Sequence, residues 1–174
     1  SALERAWQEL VQRHESLRTR FVLVDGQPYQ RVQPTGAVAL TQLDWRDFPP
    51  ADLTAAIQAQ ALELMQQPFD LERDGLVRSH LIQLEANTHV LLLTLHHIIS
   101  DGWSMEVLIR ELTILYDAHQ RGQSPQLPPL PIQYADFSVW QRQFLQGQVL
   151  EEQLSYWRSQ DRKSVVSGQS GDLG

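Results

Sequence analysis

The chain has 174 residues, enough for one ordinary domain, and its hydrophobic share of 42 % and charged share of 20 % are typical of a soluble globular protein. Its net charge of −7 argues against a nucleic-acid surface, and its longest apolar run, "VLLLTL", is too short to cross a bilayer. The absence of cysteine excludes disulfides, thiolate metal sites and a cysteine nucleophile, and it fits the reducing cytoplasm, where we expect the protein to reside.

Helices and strands alternate along the sequence. In chain order it predicts a helix (2–14), a hairpin with strands 20–24 and 28–32, a strand (37–45), a helix (51–65), strands 76–84 and 88–97, and helices 103–119, 134–145 and 149–159. Asp25-Gly26 is the turn of the hairpin. The strand of residues 88–97 is apolar almost throughout, which predicts that both of its faces are covered. The alternation indicates an α/β fold with a mixed sheet.

Two adjacent histidines, His96 and His97, end that apolar strand, and Asp101 and Gly102 follow before the next helix. Neighbouring side chains on a strand point to opposite faces, so one imidazole is expected to face a cleft and the other to brace the interior. Asp101 is placed to cap the helix, whose first turn offers N–H donors beside the histidines. A base, an oxyanion donor and a carboxylate that fixes the turn are the parts of an acyl-transfer site.

Each of these residues also has a structural interpretation. A buried histidine is usually a satisfied core residue, and an aspartate at a helix start is usually only a cap. A metal site is disfavoured, because adjacent histidines on a strand diverge and the sequence offers no evident third ligand.

The stretch "HHIISDGWS" (96–104) resembles the active-site signature of condensation domains from nonribosomal peptide synthetases, within the chloramphenicol-acetyltransferase-like superfamily. The stretches "RHESLRTRF" (13–21) and "YADFSVWQ" (134–141) are similar to that family's upstream and downstream motifs, in the same order and spacing. The resemblance implies one lobe of a two-lobed domain, with a mixed sheet flanked by helices. The family's opening motif and second lobe are not matched. We therefore expect residues 1–160 to be a partial domain, the N-terminal lobe, and 161–174 to be a disordered or non-native tail.

The resemblance implies amide formation, in which the amine of an aminoacyl acceptor thioester attacks a donor acyl or peptidyl thioester. Both substrates are carried on the phosphopantetheine of carrier proteins and enter a tunnel between the lobes, so no cofactor binds directly. The implied partners are carrier protein domains, an adenylation domain and the C-terminal lobe of the same megasynthase, with no nucleic acid and no membrane. The inner face of the isolated chain is expected to expose apolar surface, and the chain is expected to be inactive or to aggregate.

The resemblance also implies roles for individual residues. His97 faces the reacting amine, positioning it first and acting as a general base second, while His96 packs inward and orders the loop. The Gly102 N–H faces the developing oxyanion, in the same hollow as the His97 imidazole. Trp103 and Ser104 are candidates for the substrate tunnel, although Ser104 also suits the first helical turn.

Other charged residues are expected to support the fold. The resemblance makes Arg18 the partner of Asp101, in a buried bidentate ion pair that pins the loop to the first strand. A solvated helix end is the expectation for Arg13, His14 and Glu15. In the third motif, packing roles are expected for Tyr134, Asp136 and Trp140.

Three alternatives stay open. An epimerising relative shares the double histidine and uses a carboxylate base from a motif outside this chain. A free-standing coenzyme A-dependent acyltransferase uses a similar histidine and aspartate. A non-catalytic module would only hold carrier proteins. Cyclising relatives, which carry an aspartate in place of the first histidine, do not fit.

Overall fold

The computed structural model describes residues 1–35 and 39–168. The chain forms two compact units, Ser1–Gln133 and Tyr134–Gly174. In chain order the elements are α1 (Ala2–Arg13), a 3₁₀ helix (Glu15–Arg18), β1 (Thr19–Val24), β2 (Gln27–Val32), β3 (Leu40–Asp44), a 3₁₀ helix (Pro50–Asp52), α2 (Leu53–Gln66), β4 (Val77–Gln83), β5 (His89–Leu95), α3 (Gly102–Gln120), α4 (Tyr134–Phe144) and α5 (Gly147–Gly168).

Helix α1 begins with a reciprocal cap. The Ser1 hydroxyl accepts a hydrogen bond from the Glu4 N–H at 3.2 Å, and the Glu4 carboxylate binds the Ser1 nitrogen in return. The predicted spacing is confirmed, because one face of the helix is buried. That face consists of Ala6, Trp7, Leu10 and Val11, with Leu3 half-buried beside them.

Helix α1 packs against α3 to form the main core of the first unit. The α3 residues in this core are Leu108, Leu112 and Leu115, and Leu17 and Val77 join them from the neighbouring elements. The two helices run antiparallel, because Glu9 of α1 meets His119 near the C-terminal end of α3, whereas His14, just after α1, meets Glu111 nearer the start of α3. The distance between Glu9 Oε2 and His119 Nε2 is 2.9 Å. None of the described helices combines the length and the apolarity that a bilayer crossing requires.

The predicted hairpin is confirmed. β1 and β2 pair antiparallel, with Val24 opposite Gln27. Asp25 and Gly26 between them have φ angles of 51° and 76°, which are the left-handed conformations that a tight two-residue hairpin turn requires. Glycine reaches this region without strain and aspartate tolerates it, so the dipeptide fixes the turn locally.

The second sheet has the order β3-β4-β5. β3 is parallel to β4, and β4 is antiparallel to β5, so the predicted mixed sheet is confirmed. The connection from β3 to β4 carries α2, as a parallel pair requires. The third predicted strand is shorter than expected, and residues 37 and 38 of that prediction lie outside the described residues.

β5 is less covered than its sequence predicts. In the described part of the chain it lies at the sheet edge, with β4 on one side, and no residue of it is fully buried. Leu91, Leu93 and Leu95 pack against the α1–α3 core, and α2 contacts the strand as well. The apolar run therefore reflects partial cover by helices rather than a strand buried on both faces.

The second unit contains α4 and α5, joined through Gly147, whose φ is 52°. Four α4 rings form a row in which neighbouring centroids lie 5.9, 5.6 and 5.1 Å apart. These rings belong to Tyr134, Phe137, Trp140 and Phe144, and about half of the Trp140 surface is exposed. Both predicted helices are present, whereas a packing role for this motif stays a prediction.

Helix α5 continues to Gly168, so it passes the boundary predicted after residue 160. Residues 169–174 lie outside the described residues. The disordered or non-native tail therefore stays a prediction, and its proposed start does not coincide with the end of a helix.

The α1–α3 core predicts a sharp contrast between two neighbouring positions on α3. Leu115→Ala should lower the free energy of unfolding by about 2–5 kcal/mol, because Leu115 is fully buried and its loss leaves a cavity. Ile114→Ala should cost less than about 1 kcal/mol, because Ile114 is 40 % exposed. Urea denaturation measures both values, and equal losses would contradict this packing.

Candidate active site

The histidine pair lies in the loop between β5 and α3. β5 ends at Leu95, so the predicted strand end at residue 97 is wrong by two residues. The backbone instead turns at the pair: the His96 N–H donates to the Leu76 carbonyl at 3.0 Å, and the Ile99 N–H donates to the His96 carbonyl at 3.1 Å. Both imidazoles therefore belong to a turn, and strand alternation does not decide where they point.

The bracing role of His96 stays a prediction, and the contacts of its side chain are compatible with that role. His96 is half-buried, and its Nδ1 accepts a hydrogen bond from the Ile98 N–H at 3.0 Å. Its ring meets the Phe69 ring edge-on, with 5.8 Å between the centroids. Because Nδ1 accepts, the neutral ring carries its hydrogen on Nε2. His96 thus holds the turn together through its own side chain.

His97 is exposed, and among the described residues its side chain makes no hydrogen bond. It is therefore accessible to a substrate, which is the requirement for the role predicted from the sequence. Gly102, the first residue of α3, is exposed as well, and its N–H donates to no group in the described parts of the chain. A Cβ built on Gly102 would meet nothing within 4 Å, so no neighbour in this unit demands glycine there.

Asp101 caps α3, as predicted. Its Oδ1 accepts from the Ser104 N–H at 2.8 Å and from the Ser104 hydroxyl at 2.6 Å. The Ser104 side chain, then its backbone N–H, lower the pKa of Asp101 below the ordinary value, and the nearby His97 adds to the effect. The carboxylate and Ser104 together fix the first turn of the helix beside His97.

The predicted ion pair between Arg18 and Asp101 is wrong. Arg18 instead donates to the carbonyls of Gln12 and Gln33, and its Nη2 lies 3.5 Å from Glu15 Oε1. Asp101 is exposed and is already satisfied by donors three residues along the chain. A local cap forms without ordering a distant side chain, whereas Arg18 ties the end of α1 to the end of β2.

A charged cluster that the sequence did not predict lies between α1 and α3. Glu111, 6 % exposed, accepts from Arg13 Nε at 3.0 Å, and its Oε2 lies 2.7 Å from His14 Nε2. Arg13 also donates to the Pro128 carbonyl at 2.6 Å. Burial opposes ionisation of Glu111, but the hydrogen bonds from Arg13 and His14 outweigh it, so its pKa lies below the ordinary value.

The expectation of a solvated helix end is therefore wrong for Arg13 and His14, whose side chains are 16 % and 19 % exposed. Glu15 is half-buried, and its N–H donates to Gln133 at 3.1 Å. The sequence did carry a signal, because Glu111 falls on the apolar face of α3, next to Leu112. A carboxylate on a buried helix face needs cationic or hydrogen-bonding partners. The basic residues of the upstream motif are candidates for that role.

A half-open cavity of about 170 Å³ lies between the end of α1 and the first turns of α3. We call it the α3 cavity. Its lining consists of His14, Ser16, Leu17, Leu95, Ile99, Ser100, Trp103, Ser104, Met105, Val107 and Leu108. Trp103 and Ser104 thus lie beside a cavity, as tunnel residues would. His97 and Gly102 do not line it, so the hollow predicted to join those two residues is not this cavity.

Among the side chains that the structure describes, in residues 1–35 and 39–160, no group of three or more histidine, aspartate or glutamate residues is arranged to hold a metal ion. The chemistry that the described site can perform depends on an accessible imidazole, a free N–H at a helix start and a carboxylate that fixes the turn between them.

Sequence comparisons identify relatives. A family model described as Condensation domain matches residues 1–167. A linear gramicidin synthase polypeptide of Brevibacillus parabrevis is 49 % identical over 158 residues, which are 91 % of this chain and 3 % of that protein. Malpinin synthetase of Mortierella alpina is 43 % identical over 158 residues, which are 91 % of this chain and 2 % of that protein. The chain thus spans only a few per cent of the length of these curated relatives.

Solved structures share the fold. The X-domain from teicoplanin biosynthesis has a TM-score of 0.77 and 34 % identity, with 91 % of this chain and 34 % of that chain covered. The epimerization domain from the third module of tyrocidine synthetase B has a TM-score of 0.78 over 92 % of this chain and 35 % of that chain. Its identity is 22 %, so it shows a common fold alone. The chain spans about a third of each of these two solved relatives.

The local cap and the absent ion pair lead to a stability prediction. Asp101→Ala should lower the free energy of unfolding by about 1 kcal/mol, the usual effect of losing a helix cap, rather than the ~3–5 kcal/mol of a broken buried pair. A double-mutant cycle with Arg18→Ala, measured by urea denaturation, should give a coupling energy within about 0.5 kcal/mol of zero. A coupling energy above about 1 kcal/mol would show that Arg18 and Asp101 interact, and it would contradict this description.

The Glu111 cluster predicts a dependence of stability on pH. Because its pKa is lowered in the folded chain, ionised Glu111 stabilises the fold above its unfolded pKa, and this contribution is lost as the pH falls through the folded pKa. Glu111→Gln should cost about 1–3 kcal/mol at pH 7, and the difference from the parent should shrink on acidification.

Urea denaturation between pH 7 and pH 3 measures this effect. Glu106→Gln is the matched control, because Glu106 is exposed on the same helix. Its curve should run parallel to that of the parent at every pH. If both variants showed the same pH dependence, the cluster would not contribute as described.

Proposed function

This chain belongs to the condensation-domain family, and we propose that it supplies the histidine-bearing lobe of a nonribosomal peptide synthetase domain that forms amide bonds. The observation that carries this proposal is the accessible His97 imidazole beside the capped start of α3. The proposed substrates are an aminoacyl thioester as acceptor and an acyl or peptidyl thioester as donor, each held by a carrier protein through phosphopantetheine.

The proposed reaction makes a C–N bond and breaks a C–S bond. The acceptor amine attacks the donor carbonyl carbon, the amine loses one proton, and the departing thiolate takes up one proton. An α-amine has a pKa near 8, so roughly a tenth of it is already deprotonated at pH 7 and the help it needs from a base is modest. His97 is therefore assigned first to holding the amine in place, and second to accepting its proton.

The start of α3 offers electrostatic help to the same step. The carbonyl oxygen gains negative charge as the amine adds, and the first N–H groups of a helix favour an anion. The Gly102 N–H is exposed and unbonded in the described structure, so it is the proposed donor. Asp101 and Ser104 hold this turn, and His96 holds the residues before it.

The remainder of the machinery is proposed from the relatives. The chain spans about a third of the solved relatives, so a second lobe, carrier domains and an adenylation domain are the proposed partners in the same megasynthase. The 174-residue chain alone is expected to make no amide, because the tunnel of such a domain needs both lobes.

A docking function without catalysis is the second candidate. The observation that favours it is a structural relative at 34 % identity, the complex of the X-domain and OxyB from teicoplanin biosynthesis, with a TM-score of 0.79. A module of this fold is thus seen bound to another protein. On this alternative, the exposed surfaces of the chain would hold a partner, and His97 would have no chemical role.

The test is His97→Ala in a complete domain that contains this lobe, with both carrier proteins loaded. Amide formation should fall by about 10²–10⁴-fold, the range expected for a lost proton-transfer group, with any loss of positioning added to it. Product is measured by mass spectrometry of the acceptor carrier protein. His89→Ala is the matched control, because His89 is an exposed histidine at the start of β5, outside the loop.

The two candidate functions give different outcomes. Normal amide formation by His97→Ala, with His89→Ala also normal, would refute the catalytic assignment. A parent domain that binds loaded carrier proteins and yields no amide would favour the docking module instead.

A further inference from the structure

The α3 cavity adjoins the proposed reaction centre without containing it. Ile99, Ser100, Trp103 and Ser104 line the cavity and belong to the loop and first turn that also carry His97. Trp103 lines the cavity and is 77 % exposed, so its indole is accessible from solvent. A side chain seated there would leave its own main chain close to the His97 loop.

The size and lining of the cavity suit an apolar group. Its volume of about 170 Å³ is close to that of the engineered protein cavity of roughly 150 Å³ that binds benzene. Leucine, isoleucine, valine and methionine side chains form most of the wall. A single aromatic ring or a branched aliphatic side chain therefore fits the space.

Two of the three serine hydroxyls that line the cavity have their hydrogens engaged. Ser104 donates to Asp101 at 2.6 Å, and Ser100 donates to the His96 carbonyl at 3.4 Å. A hydroxyl that donates its one hydrogen keeps acceptor lone pairs for another group. Ser100 and Ser104 thus offer acceptors to a ligand, and only Ser16 has a hydroxyl hydrogen that no described group takes.

His14 has the same character. Its Nε2 lies 2.7 Å from the Glu111 carboxylate, which accepts only, so Nε2 carries the hydrogen and the other nitrogen, Nδ1, is an acceptor in the neutral ring. Arg13 holds Glu111 in place, so the ring orientation is fixed. In the described chain no group donates to Nδ1.

We propose that the α3 cavity is a side-chain pocket for one of the aminoacyl groups, a role that rests on the proposed function. It selects a side chain with a single ring or a branched carbon skeleton that is apolar except for a hydrogen-bond donor at its end. A phenol is an example. His14 Nδ1 receives that hydrogen, and Glu111 positions the ring. Recognition then comes from an apolar wall for size and from acceptors that reject a side chain lacking the donor.

The test is a titration of the monodisperse 174-residue chain at pH 8 with p-cresol and with toluene, which differ by the phenolic hydroxyl. p-Cresol should bind about fivefold more tightly, which corresponds to one ordinary hydrogen bond. Binding is measured by calorimetry and by the shift of the Trp103 indole N–H resonance.

His14→Gln is the decisive variant. The Gln amide N–H₂ replaces the ring Nε2–H toward Glu111, but no acceptor remains where Nδ1 was. The variant should keep its melting temperature within a few degrees and lose the preference for p-cresol. His119→Gln is the matched control, because His119 forms a similar bridge to Glu9 and does not line the cavity. It should keep the full preference.

Three results would overturn the pocket: no binding of either probe to the parent chain, equal binding of both, or a preference that His14→Gln retains. These results are independent of catalysis. Loss of the pocket together with a reaction that still needs His97 would leave the proposed function standing. A confirmed pocket in a complete domain that binds loaded carrier proteins and yields no amide would refute the proposed function and with it the aminoacyl identity of the ligand.

Discussion

The geometry of the site depends on how α3 is held against α1. Leucines on one face of α3 bury themselves against Trp7, Leu10 and Val11, and Glu111 on that face is neutralised by Arg13 and His14. A carboxylate is costly to bury unless it is paired, so this bridge permits the helix face to be covered at all. Because the start of α3 presents Gly102 and its cap to the histidine loop, packing far down the helix determines where the reactive turn lies.

Features that depend on adjacent residues followed from the sequence. The hairpin turn at Asp25 and Gly26 requires only two left-handed residues, and the Asp101 cap requires only donors three positions away. The helix spacing of α1 was equally clear, because the apolar face repeats with the helical period. The mixed sheet followed from the alternation of elements, which restricts the topologies that a short chain can adopt.

Features that depend on residues far apart in the chain could not be predicted from the sequence. Arg18 was expected to pair with Asp101, but its guanidinium reaches nearby carbonyls instead, and the aspartate is satisfied locally. The strand before the histidines ends two residues earlier than the sequence predicts, because the backbone turns at His96 although two more apolar residues, Ile98 and Ile99, follow the histidine pair. The Glu111 cluster does not follow from the motif residues Arg13 and His14 alone, because their carboxylate partner lies 98 and 97 positions further along the chain.

The two histidine–glutamate contacts between α1 and α3 differ in which helix supplies the glutamate. At one end of the pair, α1 supplies Glu9 and α3 supplies His119; at the other, His14 follows α1 and α3 supplies Glu111. Were α1 turned end for end, glutamate would face glutamate and imidazole would face imidazole, so each contact would become a mismatch. The two ionic contacts therefore favour the observed direction of the first helix over the reverse one.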